Sequence, residues 1–74
     1  MHPELSIVVP LYNEEDNVRP LYEAIIAALT PLRTPFEIVL VDDGSRDGTA
    51  RIATAIARED PRVCLVKFRR NYGQ

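Results

Sequence analysis

Three short runs of β-branched and apolar residues, set apart by two stretches with apolar residues three and four apart, constrain this chain more than any other feature. The first run, Leu5 to Val9, ends at Pro10 and a polar loop through Tyr12, Asn13 and Glu14, which reads as a strand and its exit. From Val18 the apolar residues are Val18, Leu21, Tyr22, Ile25, Ile26 and Leu29, the pattern of a helix with one buried face. Asp16 or Asn17 stands where a cap is needed, Pro20 falls in the first turn, and Pro31 and Pro35 stop the helix. Glu37 to Val41 is the second strand, and its nearly unbroken hydrophobicity predicts burial on both faces. Asp47 or Thr49 can cap a second helix carrying Ile52, Ala53, Ile56 and Ala57, which Pro61 ends before a third strand, Val63 to Phe68.

The order strand, helix, strand, helix, strand with right-handed crossovers predicts an α/β unit, the β-α-β-α-β part of a doubly wound, mostly parallel sheet ordered 3-2-1. Strand 1 is then an open edge through which chains could self-associate. With 74 residues the chain makes one small domain, and a unit of this size buries only about 60% of its unfolded surface. A truncated domain is the expectation.

Composition excludes several classes. No apolar run approaches the roughly 20 residues that span a bilayer, and no basic stretch precedes an apolar core at the start, so neither a membrane span nor a secretory signal is read. Nine basic and 11 acidic residues leave a net charge of −2, too balanced to draw nucleic acid through bulk charge. Cys64 is the single cysteine, so no internal disulfide forms; within an apolar strand it reads as a small buried hydrophobe.

Ligands of open α/β sheets settle beyond the C-terminal ends of the strands, where two polar loops fall, Pro10 to Glu15 and Asp42 to Ser45. Neither a GxGxxG nor a GxxxxGK[ST] pattern occurs, which disfavours dinucleotide and P-loop readings. Adjacent carboxylates repel a phosphate by about 4 kcal/mol per pair at about 4 Å and an effective dielectric near 20. They suit the N–H of a nucleobase or the hydroxyls of a ribose, where a charge-assisted bond contributes about 1.5 to 3 kcal/mol. Tyr12 offers a stacking face.

Plainer roles compete with these. Asp42 and Asp43 equally suit a strand-ending turn with Gly44, and Asp47 is better read as a helix cap. Glu14, Glu15 and Asp16 fit a solvated acidic first turn, and Lys67, Arg69 and Arg70 fit solvated surface. His2 is assigned no role. Asp43, Ser45, Asp47 and Gly48 imitate a calcium loop, but its twelfth position falls on Thr54 where a glutamate is required. A phosphoacceptor receiver domain also gathers acids at this sheet edge, but that signalling alternative leaves the Pro10 to Glu15 loop unexplained; a non-catalytic nucleotide-binding or association fragment is a further alternative.

Ile7-Val8-Val9-Pro10-Leu11-Tyr12-Asn13-Glu14-Glu15, then Ile38-Val39-Leu40-Val41-Asp42-Asp43-Gly44-Ser45 with Asp47-Gly48-Thr49, then Arg70-Asn71-Tyr72-Gly73-Gln74 resemble the N-terminal nucleotide-binding half of family 2 glycosyltransferases with the GT-A fold. The last of these stretches is most similar to the branch acting on polyprenyl phosphates, the dolichyl- and undecaprenyl-phosphate glycosyltransferases. The resemblance implies a UDP- or GDP-sugar donor, with Pro10, Tyr12, Asn13 and Glu14 shaping the base and ribose pocket. It implies that Asp42 and Asp43 contact the nucleoside, with Asp43 the one that reads the base N–H. Arg70 and Asn71 would lie near the diphosphate, and Gly73 would permit close backbone approach.

The family's Asp-x-Asp motif, which holds Mg²⁺ or Mn²⁺ on the donor diphosphate, would follow Gln74. Residues 1–74 are thus expected to be the nucleotide-sugar-binding part of one catalytic domain, with the nucleoside subsite but no catalytic or metal-binding residue, and inactive alone. The parent would serve a polyprenyl phosphate acceptor at the cytoplasmic side of a membrane, while the fragment itself would be soluble and would bind no nucleic acid.

Overall fold

The computed structural model describes residues 3–68. Its elements run β1 (Leu5–Leu11), α1 (Val18–Leu29), a short 3-10 turn (Thr30–Leu32), β2 (Phe36–Asp43), α2 (Thr49–Glu59) and β3 (Val63–Phe68). The strands form one parallel sheet ordered β1-β2-β3, with Leu5 opposite Phe36, Leu11 opposite Asp42 and Asp43 opposite Phe68. The expected topology is therefore the observed one. Both strands that precede the two polar loops run longer than the apolar runs suggest. β1 continues through Pro10 because an edge strand can spare the N–H that proline lacks. β2 carries both acids, Asp42 and Asp43, inside its last turn of pairing.

Both connections step the same way across the sheet, so α1 and α2 lie on one face and pack against each other. The core sits between that face and the helices: Val9 and Leu11 of β1, Ile38 and Leu40 of β2, Val63 of β3, Val18 of α1, and Ala53 and Ile56 of α2. Burial on β2 alternates, which corrects the expectation of two covered faces. An apolar run on a central strand marks a face that can be covered, and here helices cover only one. Val8 is 63% exposed on the other side. Cys64 is also exposed, contrary to its reading as a buried hydrophobe, because it alternates with the inward Val63 and Leu65 along β3.

The helix ends differ in detail from expectation. Neither Asp16 nor Asn17 caps α1 with its side chain; the backbone carbonyl of Glu14 accepts from the amides of Asn17 and Val18 instead. At the other end the Thr30 hydroxyl donates to the Ile26 carbonyl, and Arg33, in the left-handed region at φ 57°, turns the chain toward β2.

At the N-terminal pole of the sheet, Asp60 is buried and fully engaged. Its carboxylate accepts from Nε and Nη2 of Arg62, each at 2.9 Å, from the Arg62 amide at 3.0 Å, and from the Tyr22 hydroxyl at 2.5 Å. The guanidinium also lies over the Phe36 ring, 4.8 Å from its centre. These bonds, the Arg62 side chain foremost, hold the Asp60 carboxyl well below the usual carboxylate range, and the Asp60 bond pushes the Tyr22 hydroxyl up. They tie the end of α2 to α1 and to the entry of β3.

A depressed folded-state value means the stabilisation is complete above the unfolded carboxyl value of about 3.9 and is lost as pH falls below it. We expect Asp60→Asn to cost about 1 to 3 kcal/mol at neutral pH, with the half-exposed Arg62 limiting the loss. Urea unfolding at about pH 6 and about pH 3 checks this: the midpoint should fall less with acid in the variant than in the parent.

Candidate functional site

The C-terminal ends of β1 and β2 lie side by side. Leu11 pairs with Asp42, so the next residues of the two strands, Tyr12 just past β1 and Asp43 at the last position of β2, are neighbours. Tyr12 is exposed and Asp43 half-buried. Asp42 is 4% exposed, on the helix-covered side of the strand, and its Oδ1 accepts from the Ser45 amide at 3.2 Å. Asp42 thus makes the turn that carries the chain off the sheet, with Gly44 in the left-handed region at φ 76° where a side chain would be strained. The paired acids therefore divide by strand alternation, one facing the helix layer and one the opposite side.

The loop after β1 is bonded to the loop before α2 at each successive residue. Asn13, left-handed at φ 51°, donates its amide to the Ser45 hydroxyl at 2.9 Å and accepts the Arg46 amide on Oδ1 at 2.8 Å. Asparagine tolerates that backbone region better than most residues. The Glu14 amide donates to the Thr49 hydroxyl at 2.7 Å, while Glu14 Oε2 accepts from the Tyr12 amide at 3.2 Å. Thr49 is fully buried, and its amide and hydroxyl both donate to Oδ1 of Asp47, at 2.9 and 2.5 Å. The Thr49 hydroxyl, with the backbone donors around it, holds the Asp47 carboxyl below its ordinary value. The N-cap of α2 is nevertheless Gly48, without a side-chain cap, so neither Asp47 nor Thr49 is the cap residue expected; Asp47 binds the first helical residue from one position earlier.

Of the residues singled out beforehand, the structure brings Pro10, Tyr12, Asn13, Glu14, Asp42 and Asp43 to one edge of the sheet. Arg70 and Asn71 lie outside the described residues. Ser45, Gly48 and Thr49 join the site through bonds that sequence reasoning missed, and Glu15, read as solvated, accepts the Gly48 amide. The Ser-x-Asp-Gly-Thr spacing of short polar residues ahead of a helix is the one signal that pointed toward them.

The described residues include no group of three or more His, Cys, Asp or Glu side chains suited to a metal ion. Asp42 is committed to a turn and Asp43 lies on the other side of the strand, so the pair does not converge on one cation. A hollow of about 310 Å³ between Pro35, Phe36, Pro61 and Arg62 lies at the opposite pole. It is remote from the strand ends where ligands of such sheets bind and brings together no comparable set of polar groups.

Comparison with known proteins places this arrangement. Residues 6–74 match the family model described as glycosyl transferase family 2. The chain is 54% identical over 71 residues to an undecaprenyl-phosphate 4-deoxy-4-formamido-L-arabinose transferase of Pseudomonas fluorescens, covering 95% of this chain and 21% of that protein. It is 44% identical over 72 residues to a dodecaprenyl-phosphate galacturonate synthase of Rhizobium johnstonii, covering 96% of this chain and 21% of the relative. Among solved structures it superposes on the mannosyltransferase PcManGT of Pyrobaculum calidifontis, in complex with GDP-Man and Mn²⁺, with a TM-score of 0.73 and 26% identity over 100% of this chain and 22% of that one. The chain thus spans about a fifth of the length of the relatives it matches. Its three parallel strands and two helices fit a Rossmann-like part of a GT-A domain, and the receiver-domain alternative falls away. The chain belongs to glycosyl transferase family 2.

Proposed function

We propose that residues 1–74 form the nucleoside subsite of a glycosyltransferase that moves a sugar from a UDP- or GDP-sugar donor to a polyprenyl phosphate. The observation that carries this reading is the juxtaposition of Tyr12 and Asp43 at adjoining strand ends, a stacking face beside a carboxylate. A base needs both: an aromatic face for its ring, and an acceptor for the N–H on its edge. Relatives named for undecaprenyl and dodecaprenyl phosphates support the acceptor class, and a neighbour holding GDP-Man supports the donor class.

In this reading Tyr12 and Asp43 receive the base, and Pro10 forms the wall behind it. Asn13 and Glu14 shape the pocket by bracing its loop, and Asp42 acts through the turn it closes. Arg70 and Asn71, which lie outside the described residues, are assigned to the diphosphate only by the resemblance. Among the described residues no group of three or more His, Cys, Asp or Glu side chains is gathered for a divalent cation such as the Mn²⁺ that the mannosyltransferase neighbour holds. The 74-residue chain is expected to bind nucleotide without transferring sugar, because the resemblance puts the family's metal-binding Asp-x-Asp motif after Gln74.

In this reading the parent works at the cytoplasmic face of a membrane. No helix among the described residues is long and apolar enough to cross one. Incubating the full-length protein with labelled UDP- and GDP-sugars and a polyprenyl phosphate should transfer label into the lipid from one donor class. A protein that transfers from neither, while binding neither nucleotide, would overturn the reading.

A further inference from the structure

The outermost bond pair between the two loops involves Glu15. Glu15 donates its amide to Asp47 Oδ2 at 3.3 Å, and its own Oε1 accepts the Gly48 amide at 2.6 Å. The two bonds close a ring between residue 15 and residues 47–48. A second observation concerns the glycine. Gly48 has an ordinary backbone, φ −81°, so no conformational strain calls for glycine there. A Cβ at this position would lie 2.7 Å from Glu15 Oε1 and 2.6 Å from Arg51 Nη2. The exposed Arg51 side chain can swing away at little cost. The Glu15 carboxylate cannot retreat without giving up the Gly48 amide.

We infer that Glu15 is a positioning residue for nucleotide binding: with Gly48 it clasps the β1 loop to the loop entering α2, and so fixes the separation of Tyr12 and Asp43. This rests on the nucleoside-subsite reading. Tyr12 immediately precedes the bonded stretch 13–15, and Asp43 precedes 45–49 with only Gly44 between, so slack between those stretches reaches Tyr12 directly and Asp43 through Gly44. A stacking face and a base-reading acceptor tolerate little misplacement, because each bond weakens steeply with distance and angle.

The sign of the effect separates this role from a direct electrostatic one. Glu15 carries negative charge near a site for an anionic nucleotide, so charge alone predicts tighter binding when it is removed. The clasp predicts weaker binding. In the full-length protein, UDP and GDP affinities are measured by calorimetry, and amide hydrogen exchange is followed at Asn13, Arg46 and Gly48. Glu15→Ala should weaken binding of the favoured nucleotide about fivefold to tenfold and speed exchange at Gly48.

Glu15→Gln keeps a side-chain oxygen for the Gly48 amide and should stay within about threefold of the parent. Gly48→Ala, which leaves Glu15 in place but displaces its carboxylate, should copy Glu15→Ala. Unchanged or tighter binding in Glu15→Ala would overturn the proposal. So would a Glu15→Gln loss equal to that of Glu15→Ala, which would mean that charge, not the bond, matters. If the parent protein itself binds neither nucleotide, the subsite reading fails and positioning for binding fails with it; hydrogen exchange still reports whether the clasp forms.

Discussion

Replacing Ile56 by alanine should destabilise the fold by about 2 to 5 kcal/mol. Ile56 is fully buried on the inner face of α2, within the core cluster that joins both helices to all three strands. Alanine is a better helix former than isoleucine, so the helix itself gains slightly and the whole loss is one of packing. Relaxation can recover little of the cavity because Ile38, Leu40 and Ala53 in the same cluster are anchored in paired strand or helix. A domain this small has only a few kcal/mol to lose. Chemical denaturation should show the midpoint shifted far down or the transition gone, whereas a loss under about 1 kcal/mol would mean that the helix layer is not packed as described.

Replacing Asp43 by alanine should weaken nucleotide binding about tenfold to a hundredfold, the loss of one charge-assisted bond to a base N–H. Asp43→Asn should fall between, since an amide oxygen still accepts but carries no full charge. The contrast with Asp42 sharpens the expectation. Asp42 is buried and closes the turn to Ser45, so its replacement should lower stability as well as affinity. Asp43 is only half-buried, at the strand end and on the side away from the helices, so its replacement should lower stability less than that of Asp42 does. Calorimetric titration beside thermal melts separates the two. An Asp43→Ala protein that binds as the parent does would return this residue to a turn role.

Much of the architecture was legible because it depends on short-range pattern. The three-and-four spacing from Val18 to Leu29 marks α1 at its observed bounds, and Val63 to Phe68 marks β3. What failed was anything set by what lies across the sheet. Glu37 to Val41 looks equally apolar on both sides, yet only the side facing α1 and α2 is buried, and Cys64 is exposed for the same reason. A strand's composition shows what it can bury, not how many layers are present. The site was half legible for a related reason. Tyr12 and Asp43 end strands and could be placed from topology. The bonds from Asn13, Glu14 and Glu15 to residues 45–49 join positions more than 30 apart, and no local periodicity encodes such a meeting. Glu15 in particular looks like any solvated acid until Gly48 is seen beneath it.

The central claim is that the ends of β1 and β2 bind a nucleoside. Amide NMR spectra of the 74-residue chain, recorded while UDP and then GDP is added with Mg²⁺ present, test it most directly. The account predicts dispersed peaks and shifts for one nucleotide only, concentrated at Tyr12, Asp43 and the 44–48 loop and much reduced in Asp43→Ala. Dispersed peaks that move for neither nucleotide, or that move only around Phe36 and Arg62 at the opposite pole, would contradict it.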